Sequence, residues 1–258
     1  MAMDVSYGEA HGMAAAFIVT DSATWTFQLA AGGFSSLTGP DGEEWIGFAP
    51  GSGGGGGAAN VFRGIPNLVY PDNIGHPGHE RCRSHVEPSN EVVLITTESL
   101  AGLWAWEWRV TDIAANLSVV RAPARRRYWF LYEGTPGGRF EPSRSFWGSD
   151  SEGVREDTPD LFAKPGQGGP VITPRSFAYF GHRDCARVLL CTHRTAGDEP
   201  SFFAYMRATE STGMAVFGFG RDHADGPLPC LTGAHSFTVQ LVEGTGYDEI
   251  GRLALRAG

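Results

Sequence analysis

The sequence predicts an all-β chain folded as a large antiparallel β-sandwich. Three observations carry this. Apolar and polar residues alternate with a period of two over many short runs, as in strands with one buried face. Glycine (36 residues) and proline (16 residues) punctuate those runs as turns do. A chain of 258 residues, 41% hydrophobic, can bury a substantial core, and a dozen or so strands sharing one core imply two large packed sheets. No internal repeat or linker divides the chain, so residues 1–258 are read as one domain.

From the N-terminus, strand-like runs cover Ala15 to Thr20, Thr24 to Ala31, Phe34 to Leu37 and Glu44 to Phe48, with a turn at Gly39-Pro40-Asp41-Gly42. Gly51 to Gly57 is nearly all glycine and lacks the Lys-Ser/Thr of a phosphate-binding loop, so it reads as a surface loop. Glu91 to Glu98 and Leu103 to Thr111 form a hairpin pair. In the second, Trp104, Trp106 and Trp108 share one face, either as packed core or as a sugar-stacking platform. The long apolar alternation favours core. Further strands are expected at Asn116 to Arg121, Tyr128 to Tyr132, Ser176 to Phe180, Arg187 to Thr192, Phe202 to Met206, Met214 to Phe219 and His235 to Val242. Thr135 to Pro174 reads as one long polar loop, and Tyr247 to Leu255 as a short helix or a last strand.

The net charge of −9 argues against nucleic acid as main partner, because phosphate binding needs a basic face. No apolar stretch is long enough to span a membrane. Met1 to Ala10 shows no basic start followed by an apolar run. A soluble protein is expected, secreted or periplasmic if a native signal has been removed and otherwise cytoplasmic. The four cysteines, Cys82, Cys185, Cys191 and Cys230, contain no Cys-x-x-Cys pair, and neither a metal nor a cofactor is expected.

Three clusters could carry chemistry. The densest is Arg63 to His85, in which Arg63, Arg81 and Arg83 accompany His76, His79 and His85 on a proline-broken segment with Asn67 and Tyr70. Histidine suits proton transfer near neutral pH, and arginine suits carboxylate recognition. A solvated loop with incidental histidines is the plainer alternative. The second is Tyr128 to Gly138, where Tyr132 and Glu133 end a strand. A partly buried carboxylate there can act as acid or base, or simply pair with Arg127 or Arg139. Downstream, Trp147 and Asp150 could stack on and hydrogen-bond a sugar. The third holds Tyr179 and His182 near His193, for which core packing is the ordinary reading. Gly218-Phe219-Gly220 has no dinucleotide-binding context and is set aside.

Gly32-Gly33-Phe34-Ser35-Ser36-Leu37, followed by Asp41-Gly42-Glu43-Glu44-Trp45-Ile46, resembles the opening hairpins of the galactose-mutarotase-like superfamily. Arg63-Gly64-Ile65-Pro66 with Tyr70-Pro71 and His79 is similar to the Arg-Gly-Gly-Ile-Pro…Phe-Pro…His-Gly pattern of hexose-6-phosphate mutarotases, with one glycine missing. The resemblance covers the first third of the chain. It implies a β-supersandwich, a carbohydrate substrate, and sugar binding by Arg63 and His79, with a late carboxylate as base, for which Glu243 and Asp248 are available. Combined with the surplus of arginine beside histidine, it favours a polysaccharide lyase acting on a uronate-containing glycan by β-elimination. On that reading His79, His76, Glu133 and Tyr132 are catalytic. Arg63, Arg81, Arg83, Asn67, Trp147, Tyr179 and His182 bind an oligo- or polysaccharide, including anionic ones. The alternatives are an aldose 1-epimerase, a glycoside hydrolase or a non-catalytic carbohydrate-binding module.

Overall fold

The computed structural model describes residues 3–46, 67–69, 82–138, 140–164, 167–171, 176–206, 213–222, 228–244 and 246–256, with residues 67–69 and 256 by backbone alone. The first strands are β1 (Asp4–Ala10), β2 (Met13–Val19), β3 (Thr24–Gln28), β4 (Gly33–Thr38) and β5 (Asn67–Val69). The next are β6 (Cys82–Pro88), β7 (Val93–Ser99), β8 (Ala105–Val110), β9 (Ala115–Arg121) and β10 (Trp129–Gly134). Then come β11 (Ser145–Ser149), β12 (Gly153–Arg155), β13 (Phe177–His182), β14 (Arg187–His193) and β15 (Ser201–Met206). The last are β16 (Met214–Phe219), β17 (Arg221–Asp222), β18 (Leu228–Pro229), β19 (Ser236–Glu243) and helix α1 (Tyr247–Arg256). No helix among the described residues is long and apolar enough to cross a membrane.

The larger layer is a nine-stranded antiparallel sheet in the order β12-β11-β13-β14-β19-β9-β8-β7-β6. Two four-stranded sheets, β1-β2-β3-β4 and β15-β16-β10-β5, cover its inner face side by side. One core cluster runs through all three. Over one half, Phe34 meets Trp108 edge-on at 4.9 Å between ring centroids. Over the other, Phe130 meets Phe237 at 4.7 Å and Trp147 meets Phe203 at 4.8 Å. Trp104, Trp106 and Trp108 are all buried in this core, so they form no exposed platform.

Burial along each strand records what covers it. Strands β7 and β8 alternate: Val93, Ile95, Thr97 and Ser99 point inward, as do Trp106, Trp108 and Val110, while their neighbours face outward. In β13 and β14 almost every residue is buried, because α1 lies on the outer face. Ile250 and Ala254, four apart on one side of the helix, pack with Phe177, Tyr179, Val188 and Leu190. The run from Tyr247 is thus a helix rather than a strand.

Three expectations are corrected. The stretch Thr135 to Pro174 is not one long loop, because β11 and β12 within it extend the nine-stranded sheet through pairing with β13. Residues 44–46 form no strand, only a single bridge from Glu44 to Thr38, while the Glu44 carboxylate accepts from the Leu37 and Ile46 amides. Cys82 to His85 belongs to strand β6 rather than a loop, with Cys82 and Val86 turned inward and Arg83 and His85 outward. The glycine tract 51–57 lies outside the described residues.

Candidate active site

Strands β10, β15 and β16 are buried at every position, yet the main core accounts for only one of their faces. On β10 the alternation sends Phe130 and Tyr132 into the core and Trp129, Leu131 and Glu133 to the opposite side. There, Trp129 and Leu131 join Phe202, Ala204, Met206, Met214 and Val216 in a second cluster, with Leu161 packed against it. Neither α1 nor the nine-stranded sheet covers this face, and it is where two charged side chains are buried.

Glu133, only 6% exposed, stands opposite Val216 in the β10–β16 register. Arg221, 8% exposed, follows the turn that ends β16. Two glycines put it there. Gly220 takes a left-handed backbone conformation (φ +68°), and Gly218 leaves the sheet surface open where the arginine crosses it. A Cβ at Gly218 would come within 3.2 Å of the Arg221 Cβ and Cδ. The guanidinium carbon then lies 4.3 Å from the Phe202 ring centre and 5.2 Å from that of Trp129. Burial lowers the guanidinium pKa to about 10, while the charge of Glu133 works to raise it, so Arg221 remains a cation at neutral pH. Strand β5 runs beside β10 with Asn67 at the register position opposite Leu131.

The proposed site residues therefore separate. Glu133 lies on this face, and the backbone of Asn67 lies beside it. Tyr132, next in sequence, is turned into the core, where its hydroxyl donates to the Trp45 carbonyl at 2.7 Å and burial raises its pKa well above the usual value. Trp147 is core as well, its indole N–H donating to the Asp157 carbonyl at 3.1 Å. Tyr179 sits on the outer face beneath α1, its pKa pushed up to about 12 by burial. Arg83 is exposed on the outer face of β6, opposite Glu98, in a different sheet. Asp150 accepts from the Ser176 amide at 2.7 Å and from its hydroxyl at 2.5 Å, a structural contact between segments. Arg63, His76, His79, Arg81 and Tyr70 lie outside the described residues. The sequence reading missed Arg221 because its flag is faint: one charge after an apolar strand, at the end of Gly218-Phe219-Gly220-Arg221.

His182 is buried at the end of β13, where its ligand atoms and those of Glu141 and Asp184 lie within 4.8 Å of one another. The Asp184 amide donates to Nδ1 at 3.2 Å, which places the neutral ring's proton on Nε2. Arg144 pairs with Asp184 and reaches within 3.9 Å of Glu141, so a guanidinium already supplies the positive charge. The arrangement is a charge cluster closing the turn after β13, set apart from the Glu133 face.

Nine strands facing two four-stranded sheets make the galactose-mutarotase-like β-sandwich, and known structures share it. A provisionally assigned mutarotase, YeaD, from Salmonella typhimurium superposes with a TM-score of 0.60 at 10% identity, covering 93% of this chain and 94% of that one. A provisionally assigned aldose 1-epimerase from Klebsiella pneumoniae gives 0.59 at 10% identity, covering 98% and 87%. The α-N-acetylgalactosaminidase NagBb from Bifidobacterium bifidum gives 0.55 at 12% identity. Here 93% of this chain matches 37% of that longer protein. No family model matches the sequence, and no curated protein sequence does.

Proposed function

We propose that the chain is a carbohydrate-active enzyme that moves protons at a sugar ring, with aldose 1-epimerase-type anomeric exchange as its reaction. The observation that carries this reading is the Glu133 carboxylate, buried on a sheet face that neither the core nor α1 accounts for, beside a buried arginine. Anomeric exchange needs one group to take the proton from the C1 hydroxyl and another to protonate the ring oxygen as the C1–O5 bond opens. Rotation about C1–C2 and the reverse transfers then close the other anomer. Glu133 takes one of these roles. His79, outside the described residues, is proposed for the other. The names carried by the similar structures, a mutarotase and an aldose 1-epimerase, lend support to this choice. Uronate β-elimination keeps less support, because two of the tyrosines that could protonate its leaving oxygen, Tyr132 and Tyr179, are turned away from Glu133.

The test is a panel of freshly dissolved single anomers followed by polarimetry, with uronate polymers followed by ultraviolet absorbance in parallel. The expected result is enzyme-dependent anomeric exchange that falls by about 10²- to 10⁴-fold in Glu133→Gln, as for loss of an acid–base group. Circular dichroism and melting should show the variant still folded. Exchange at the wild-type rate in Glu133→Gln removes this residue from the mechanism. A new ultraviolet-absorbing double bond in the polymer products moves the assignment to elimination.

A further inference from the structure

Arg221 holds a buried charge to which the described residues offer no hydrogen-bond acceptor. Its guanidinium offers five N–H donors. Among the described residues it makes no hydrogen bond and no ion pair, and its Nε is buried without a hydrogen-bond partner. Elsewhere the fold treats arginines differently. Arg155 donates to Glu152 and Asp157, and Arg187 donates to Asp41, Glu43 and Glu243. Leaving the buried Nε–H of a cation unmade is costly, so the position suits a group that the described residues do not supply.

The surroundings indicate what that group is. Phe202 and Trp129 lie against the guanidinium and cannot accept N–H bonds from its edge. Ring contacts favour the cation and limit its orientations, leaving the in-plane edge for an acceptor. A planar fork of this kind matches two oxygens of one carboxylate or phosphate. Glu133 contributes a compensating charge at longer range without forming an ion pair with the guanidinium.

We propose that Arg221 anchors an oxyanion substituent of the sugar, a carboxylate or a phosphate ester, on the face that carries Glu133. The inference rests on the reading of that face as a sugar site, and it narrows the substrate to negatively charged sugars.

Isothermal titration calorimetry on the full chain tests it. Glucose and galactose are each compared with their 6-phosphates and uronic acids, and inorganic phosphate is titrated alone. The wild type should bind an anionic sugar about 10- to 100-fold tighter than its neutral parent, the range expected of a charge-assisted hydrogen-bonded pair. In Arg221→Gln that ratio should fall close to one. Arg221→Lys, which keeps the charge without the fork, should retain only part of it. If Arg221→Gln does not fold by circular dichroism, the wild-type ratio and Arg221→Lys decide. Preference for the uronic acids alone assigns a carboxylate, and preference for the 6-phosphates alone assigns a phosphate ester. A wild-type ratio near one, a ratio that survives Arg221→Gln, or no binding of any anion overturns the proposal. Anomeric exchange of neutral sugars with no anion preference would leave the catalytic reading standing and remove this one. An anionic sugar bound through Arg221 with no anomeric exchange would do the reverse, and inorganic phosphate held there with no sugar bound would overturn the proposal.

Discussion

At the scale of single residues, the core hides a histidine whose protonation the fold resists. His193 ends β14, stacked on Phe237 with ring centroids 4.7 Å apart, and its Nε2 meets His235 Nδ1 at 2.9 Å, so the two rings share one proton between those atoms. Burial, with a smaller contribution from His235, lowers the His193 pKa to about 3. An unfolded histidine takes its proton near pH 6.5. Between about 6.5 and 3 the unfolded chain therefore binds a proton that the native ring refuses, and stability falls as the pH falls through that window. His193→Phe keeps the stacking and has no proton to take. Its melting temperature should drop less than that of the wild type between pH 6.5 and 5, above the range where carboxylates titrate. Equal slopes in thermal melts would show that His193 does not set the acid limit. The sequence placed His193 one strand after His182 but could not pair it with His235, because 42 residues separate partners that only the β14–β19 register brings together.

At the scale of elements, β11 and β13 show how a stretch interrupted by glycine becomes a strand. Ser145–Ser149 and Phe177–His182 pair so that Phe146 faces Gly181 and Gly148 faces Tyr179. Each glycine lies beneath the ring opposite: a Cβ would come within 2.2 Å of Phe146 at position 181, and within 2.4 Å of Tyr179 at position 148. Ring-over-glycine pairing recovers the packing that glycine itself lacks. Gly181→Val would drive side-chain carbon into the Phe146 ring and should cost about 1–3 kcal/mol as an overpacked site, read from urea unfolding. Unchanged stability would mean that the ring swings aside at no cost. Nothing in the residues of β11 announces a strand, because its glycine and serines read as loop, and the strand exists through its cross-strand partners. Strand β10 presented the opposite difficulty. Its apolar run was plain, but a run buried on both faces does not say which face is the core.

At the scale of the whole molecule, the two four-stranded sheets do different work on one broad sheet. The β1–β4 sheet is tied down by Trp106, whose indole N–H donates to the Gly32 carbonyl at 2.9 Å while its ring lies against the Gly32 backbone. Trp106→Ala would leave a cavity between the sheets and strip the Gly32 carbonyl of its donor. A loss of about 3–5 kcal/mol is expected from denaturant titration, as for other large aromatic truncations. A loss below about 1 kcal/mol would mean that the two sheets close the gap. The second four-stranded sheet buries one face in the core and carries Glu133 and Arg221 on the other. That leaves the catalytic proposal on a rigid sheet rather than on a loop.

What the sequence determined by itself was the all-β class, most strand positions, the burial of the three alternating tryptophans and the resemblance of its opening hairpins to the galactose-mutarotase-like fold. Each of these follows from local chemistry: a two-residue period, turn residues, and short motifs read in order. It also singled out Glu133 as a candidate and held Tyr132 beside it. Only the tertiary structure separated the two, because alternation makes neighbours face opposite ways without saying which way is inward. Only the tertiary structure, too, brought Arg221 over Trp129 and Phe202. Those contacts join residues from three strands through two glycines, and their spacing along the chain carries no period that a sequence pattern could reveal.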